Sequence, residues 1–323
     1  MIYTDFSMDK DGFVGHMVEP EKNNTNHVVI VIMGGEKSIV SGIKVSERFA
    51  DFGIIGISIS LFGAEGLPKD VDRIPLEMFE PVIKYLKNVK KVKSISVYGL
   101  SMGTVYAALV AKYIDGIDNV ILCSPSHVPF EGSNTKRKCM TGHSSVIYKG
   151  KEIPYVSPDF FHSGFMAKYI YDEEAGRKVT NMWKIYRNAY KDKKNEEMAS
   201  FHLETSRARI LLIAGTGDEV WPSDYSSKYI KCELDKAKYN RDYKMILYPK
   251  ASHLIGIMPS KERNKWLYRA LPIIGLLYRS FAKHKKECML ALEQSEKEII
   301  NWIMCNRYIF YNLSILIRVF CIQ

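Results

Sequence analysis

The chain has 323 residues, 46% hydrophobic and 25% charged, which is ordinary usage for a globular protein. Length and composition fit one large α/β domain and exclude a disordered chain, a collagen-like fibre or a disulfide scaffold; no solenoid repeat or low-complexity tract is present. The formal net charge of +10 favours anionic partners, whether nucleic acid, anionic lipid or a phosphorylated small molecule.

The opening residues, MIYTDFSMDKDGFVG, lack the basic region and apolar stretch of a secretory signal. The six cysteines form no C-x-x-C pair, which argues against a zinc knuckle or a thioredoxin motif. A reducing cytoplasm is the expected location. The run HVVIVIM at 27–33 is continuous and β-branched, the pattern of a strand buried on both faces. Gly34-Gly35 ends it, and 40–52 returns to helical spacing before a second buried strand at 53–60. A helix is expected over 75–89, with Pro75 tolerated in a first turn and Pro81 marking a kink or restart. A third strand at 94–98, a helix at 103–114 and a fourth strand at 119–124 follow, with Cys123 read as a buried, reduced thiol. This alternation predicts a mostly parallel sheet with helices on both faces.

The alternation lapses from about 125 to 206, a stretch rich in His, Lys, Tyr and Pro. It is expected to be a cap inserted in the sheet order, with one polar amphipathic helix near 175–198. The pattern resumes with a strand at 209–215, a helix near 223–238 and a strand at 243–249, and a last helix spans about 286–304. The expected organisation is one domain over 1–305 followed by an atypical tail, 306–323. The apolar run 308–321 contains Asn312 and Arg318 and falls short of the roughly 20 residues of a membrane span; interfacial contact stays open. Basic clusters at 84–93, 134–138, 190–194 and 281–286 read as solvated faces. No nucleic-acid motif accompanies them.

The third strand runs into Gly99-Leu100-Ser101-Met102-Gly103 and then a helix, the context of a G-x-S-x-G nucleophile elbow. So tight a turn strains the backbone of Ser101, and the flanking glycines relieve the crowding. It also leaves the Met102 N–H at a helix N-terminus, aimed at a developing oxyanion. A serine needs a base, and an α/β-hydrolase orders its residues Ser, Asp or Glu, His. Asp218 in TGDEVWPS and His253 in KASHLIG each follow a predicted strand, so Asp218 would orient His253 and His253 would deprotonate Ser101. Glu219 is the alternative acid. His127, His143, His162 and His202 lie in or near the insert, where surface or substrate contact is expected; His16, His27 and His284 lack a strand-end context. No metal-ligand spacing such as H-E-x-x-H appears, and no cofactor is expected. The second oxyanion donor is expected in the loop Gly34–Ser38, from the N–H of Gly35 or Glu36, unless that loop is a simple turn.

The blocks SLFGAEGLP, IPLEMFEPVIKYL, YGLSMG, GDEVWPS and YPKASHLI, in this order, resemble the C-terminal catalytic domain of acyl-CoA thioesterases and bile acid-CoA:amino acid N-acyltransferases. The resemblance runs from about 27 to 258 and is least over the insert. It implies an α/β-hydrolase fold and action on acyl thioesters through an acyl-enzyme, with nucleophile, acid and base at Ser101, Asp218 and His253. Three departures qualify it. With fewer than thirty residues before the first core strand, the N-terminal β-sandwich of animal members is not expected here and a single-domain form, typical of bacterial members, is; GGEKSIVSG carries fewer glycines than usual; and Ser101 stands where the amino-acid-conjugating members use cysteine, which favours hydrolysis over transfer to an amine. A small-molecule acyl thioester or ester is the expected substrate, with Phe160, Phe161 and Tyr169 lining the acyl pocket or packing the insert. The alternatives are a carboxylesterase or dienelactone-hydrolase-like enzyme, an acyl-CoA N-acyltransferase, and a scaffold that keeps the fold without turnover.

Overall fold

The computed structural model describes residues 1–22, 26–134, 136–137, 139–158, 169–172, 177–275 and 277–305. The chain opens with β1 (Ile2–Phe6), α1 (Met8–Asp11), β2 (Gly15–Glu19), β3 (His27–Ile32), α2 (Val40–Asp51) and β4 (Ile55–Ile59). Next come β5 (Ile74–Pro75), α3 (Phe79–Asn88), β6 (Ser94–Leu100), α4 (Gly103–Tyr113) and β7 (Asn119–Cys123). The segment that follows holds β8 (Glu131–Asn134), β9 (Cys139–Ser144), β10 (Val146–Tyr148), β11 (Lys151–Glu152), β12 (Tyr169–Asp172), β13 (Arg177–Thr180), α5 (Trp183–Ala189) and α6 (Lys193–Ala199). The chain then re-enters the sheet with β14 (Arg209–Gly215), α7 (Ser223–Lys236) and β15 (Tyr243–Tyr248), and continues through α8 (Lys265–Gly275), α9 (Arg279–Lys283) and α10 (Lys285–Met304). No helix among the described residues is long and apolar enough to cross a membrane.

Eight strands form the main sheet in the order β1-β2-β4-β3-β6-β7-β14-β15. Only β2 runs against the others: it pairs antiparallel with β1 and β4, while the remaining neighbours pair parallel. The central strands are β-branched because both their faces are covered. Successive side chains of a strand point to opposite faces, and the core divides accordingly. Val28, Ile30, Val97, Leu122 and Leu212 pack with α3, α4 and α7, whereas Val29, Val31, Tyr98, Ile121 and Leu211 pack with α2 and α10. Helix α4 is buried along almost its whole length, from Gly103 to Ala111, which explains its apolar, alanine-rich sequence.

Several expectations need correction. Two strands, β1 and β2, precede the one at 27–32 that reads as the first core strand. They are short, and β1 is mostly exposed, so neither carries a continuous apolar run. The helix expected over 75–89 begins only at Phe79, after a 3-10 turn over Leu76–Met78. Pro81 therefore falls in a first turn, where its missing N–H costs nothing. The single helix expected near 175–198 is instead a strand, β13, and two short helices. Asp192 breaks the run: its side chain accepts the Asn195 N–H at 3.1 Å and starts α6 afresh. Phe160 and Phe161 lie outside the described residues, as does the tail beyond Cys305.

Candidate active site

β6 delivers Ser101 at the C-terminal edge of the sheet, where the chain must turn at once into α4. Ser101 has φ +56°, the left-handed region that a residue with a Cβ occupies only under constraint. Its N–H donates to the Cys123 carbonyl at 3.0 Å, and its own carbonyl accepts from the Thr104 N–H at 2.9 Å and hydroxyl at 2.6 Å. The turn closes because α4 begins almost in contact with β3: a Cβ on Gly103 would lie 2.0 Å from the Ile32 carbonyl oxygen. The loop after β3 lies over the elbow, with Gly34 so placed that a Cβ would stand 3.4 Å from that of Ser101. Burial pushes the neighbouring Cys123 thiol up to about 12, so it stays protonated.

The loops after β14 and β15 complete the site. His253 Nε2 lies 2.8 Å from Ser101 Oγ, and His253 Nδ1 lies 3.0 and 2.9 Å from the two carboxylate oxygens of Asp218. The Asp218 side chain is 2% exposed and that of His253 6%. Asp218 Oδ1 also accepts the N–H groups of Val220 at 2.9 Å and Trp221 at 3.2 Å, so the carboxylate is fixed from two sides. The two loops touch backbone to backbone: a Cβ on Gly215 would sit 2.2 Å from the Ala251 carbonyl oxygen.

Residues with no sequence signal hold this line in place. The Ser124 hydroxyl donates to the His253 carbonyl at 2.8 Å, and the Trp221 indole donates to the Ser124 carbonyl at 3.0 Å. The Trp221 ring meets the imidazole edge-on, with centroids 5.3 Å apart at 88°. Glu219, the alternative acid, does not reach His253. It is buried, takes the hydroxyl of Ser252 at 3.0 Å, and accepts the Ser280 N–H as well. Burial, and after it the adjacent Asp218 charge, raise its carboxyl above the ordinary range. A carboxylate next to the candidate acid was the only sequence clue to it.

The other candidates fall elsewhere. Met102 immediately precedes α4, and Gly35 and Glu36 lie in the exposed loop after β3. His127, expected at the surface or on substrate, is fully buried: Nδ1 is 2.9 Å from Ser226 Oγ and Nε2 3.1 Å from Glu196 Oε1. The aromatic rings of Tyr190, Tyr225 and Tyr229 surround it, so apolar packing drew it inside. His143 is at the surface on Glu152, 2.9 Å away, and His162 lies outside the described residues. Tyr169 begins β12. One trio of metal-capable side chains exists among the described residues: His202 Nδ1 stands 3.1 Å from Glu204 and 3.6 Å from Glu233. Glu233 is ten residues into α7, about 15 Å along the axis from the helix end beside Asp218, so the trio is separate from Ser101.

Comparison with known proteins bears on the fold and the family of the chain. Among curated proteins, the peroxisomal succinyl-coenzyme A thioesterase of Mus musculus is 23% identical over 208 residues, 64% of this chain and 44% of that protein. Acyl-coenzyme A thioesterase 1 of Homo sapiens is 21% identical over 214 residues, 63% of this chain and 43% of that protein. The chain thus matches less than half the length of these relatives. Among solved structures, a lipase in its open form superposes with TM-score 0.52 at 17% identity, covering 86% of this chain and 99% of that one. A thermostable carboxyl esterase from Bacillus coagulans superposes with TM-score 0.53 at 15% identity over the same shares. These likenesses show the α/β-hydrolase fold. Residues 74–262, more than half of the chain, match the family described as BAAT / Acyl-CoA thioester hydrolase C terminal, and the chain belongs to that family.

Proposed function

We propose that the chain is a serine hydrolase that cleaves an acyl thioester of the acyl-CoA type through an acyl-enzyme. The observation that carries this reading is the unbroken hydrogen-bonded line from Ser101 Oγ through His253 to Asp218, in a chain whose matched relatives are acyl-coenzyme A thioesterases. The Ser101 oxygen attacks the acyl carbonyl while His253 Nε2 takes its proton. Asp218 stabilises the imidazolium that forms and keeps Nδ1 as the proton donor to itself. The tetrahedral oxyanion rests on the N–H of Met102 and on an N–H of Gly35 or Glu36 in the loop over the elbow. As the carbon–sulfur bond breaks, His253 returns the proton to the departing thiolate. Water then enters, loses a proton to His253 and attacks the ester on Ser101, releasing the acid and restoring the serine. The segment between β7 and β14 acts as the cap over this chemistry.

The test is turnover and labelling of the full chain, wild type against Ser101→Ala. A fluorophosphonate should label only the wild type, and acyl-CoA turnover should fall at least ~10⁴-fold in the variant, as removal of a serine nucleophile does elsewhere. Faster turnover of p-nitrophenyl esters than of acyl-CoA would turn the assignment to a simple esterase. Absence of labelling and of turnover in folded protein would overturn the enzyme reading.

A further inference from the structure

A groove of about 850 Å³ opens beside the Asp218 end of the hydrogen-bonded line, a size typical of small-molecule sites. The loop carrying Asp218, the residue Lys250, the start of α7, helix α5 and the start of α9 surround it. Its acids are engaged elsewhere. Asp218 is closed over His253, and Glu219 is held by Ser252 and Ser280. Asp224 pairs with Lys228 at 2.9 Å, an exposed pair of little strength that a phosphate can replace with stronger charge-assisted bonds.

The bases face outward. Lys228 and Lys250 are 55% and 58% exposed, Lys250 lying 3.7 Å from the partly exposed Glu287 carboxylate in a pair as weak as that of Lys228, and Arg187 and Arg279, also on the groove, are exposed. Arg187 is steadied by stacking over the Tyr225 ring at 4.7 Å. One turn before it on α5, Trp183 leaves a large aromatic side chain 38% exposed at the same groove, since residues four apart share a helix face. An aromatic platform beside several cations suits a nucleotide carrying more than one phosphate: the base stacks and the phosphates meet the cations.

We propose that this groove binds the phosphorylated adenosine end of a CoA leaving group; the assignment rests on the thioesterase reading above. Lys250 precedes His253 by three residues, so the loop that hands a proton to the departing sulfur also carries a cation for the far end of the same molecule. Trp183 stacks on the adenine, and Arg187, Lys228, Lys250 and Arg279 take the phosphates.

The test uses the full chain and adenosine 3′,5′-bisphosphate in a calorimetric titration. Wild type should bind, more weakly as salt is raised. Trp183→Ala should lose about tenfold in affinity, and the double variant Lys228→Gln/Lys250→Gln a similar factor, whereas Lys238→Glu, outside the groove, should bind as wild type does. In parallel, the ratio of kcat/KM for an acyl-CoA over the same acyl N-acetylcysteamine thioester should fall by the same factors. No binding by wild type, or groove variants that bind as tightly as wild type, would overturn the assignment. Loss of the hydrolase reading shows differently: no Ser101-dependent turnover of either thioester, while bisphosphate binding still depends on Trp183 and the lysines.

Discussion

Ser101 occupies a backbone region that costs a residue with a Cβ roughly 1–3 kcal/mol, and that cost is met by packing around it rather than by the serine itself. Glu219 shows the same dependence on surroundings beside Asp218 and His253. Its carboxylate joins the loop of Asp218 to Ser252, the neighbour of His253, and to the first turn of α9 through Ser280. On the proposed mechanism it is a positioning residue. Glu219→Ala would leave the Ser280 N–H and the Ser252 hydroxyl without their acceptor, at about 1–3 kcal/mol for a buried group left unpaired. We expect kcat for acyl-CoA to fall about tenfold or more with KM little changed, and Glu219→Gln, which keeps an acceptor for Ser280, to restore most of it. The two variants should also differ from wild type in pH dependence. Because burial raises the Glu219 carboxyl above its ordinary 4.5, its contribution to stability is full below that value and fades as pH rises through the raised one. Urea unfolding from pH 4 to 8 should therefore show Glu219→Gln gaining on wild type as pH rises. A constant difference would mean that the carboxylate is not strained by burial.

At the scale of elements, a buried polar cluster ties the segment between β7 and β14 to the sheet layer, beside the pairing of β10 with β5. Glu196 of α6, 1% exposed, lies 3.1 Å from His127, and it accepts Lys193 at 2.6 Å and the hydroxyl of Tyr225 on α7 at 2.8 Å. Burial works to raise the Glu196 carboxyl, but the hydrogen bonds from His127, Lys193 and Tyr225 outweigh it and hold it down at about 2. Burial likewise depresses His127 below its ordinary 6.5. Both groups bind protons more readily in the unfolded chain, so both contributions have one sign: stability is present at neutral pH and is lost on acidification. The His127 part fades below 6.5 and the Glu196 part between 4.5 and about 2. Glu196→Gln should lower the urea midpoint at pH 7 and flatten its decline between pH 5 and 3; an equally steep decline in the variant would place the acid sensitivity elsewhere. Nothing in the sequence links position 127 with 196. Their pairing depends on how α6 lands on α7, and the polar segment leading there has no apolar period to read. The hairpin of β8 and β9 was illegible for the same reason, its residues being almost all polar or glycine.

Across the whole molecule, what was legible is what the sheet makes local. The strands at 28–32, 95–98, 119–123 and 210–215 are apolar because both faces are buried, and Ser101 and Asp218 stand just past the ends of two of them, while His253 follows the half-buried edge strand β15. Three positions up to 152 residues apart thus converge without any signal longer than one strand and its loop. Edge strand β1 and its neighbour β2, with fewer buried positions, gave no such signal. The net charge of +10 is a property of the same scale, acting through the field of the whole surface. Such a field speeds the encounter with a polyanion and is screened by salt, since the Debye length shrinks from about 10 Å at 0.1 M to about 3 Å at 1 M. We therefore expect kcat/KM for an acyl-CoA to fall about tenfold or more over that range, while kcat at saturation stays nearly level. For the uncharged N-acetylcysteamine thioester of the same acyl group, kcat/KM should hardly change. A parallel fall for both substrates would mean that salt acts on the fold or on the Ser101 chemistry. A fall confined to the CoA ester assigns the charge to substrate capture.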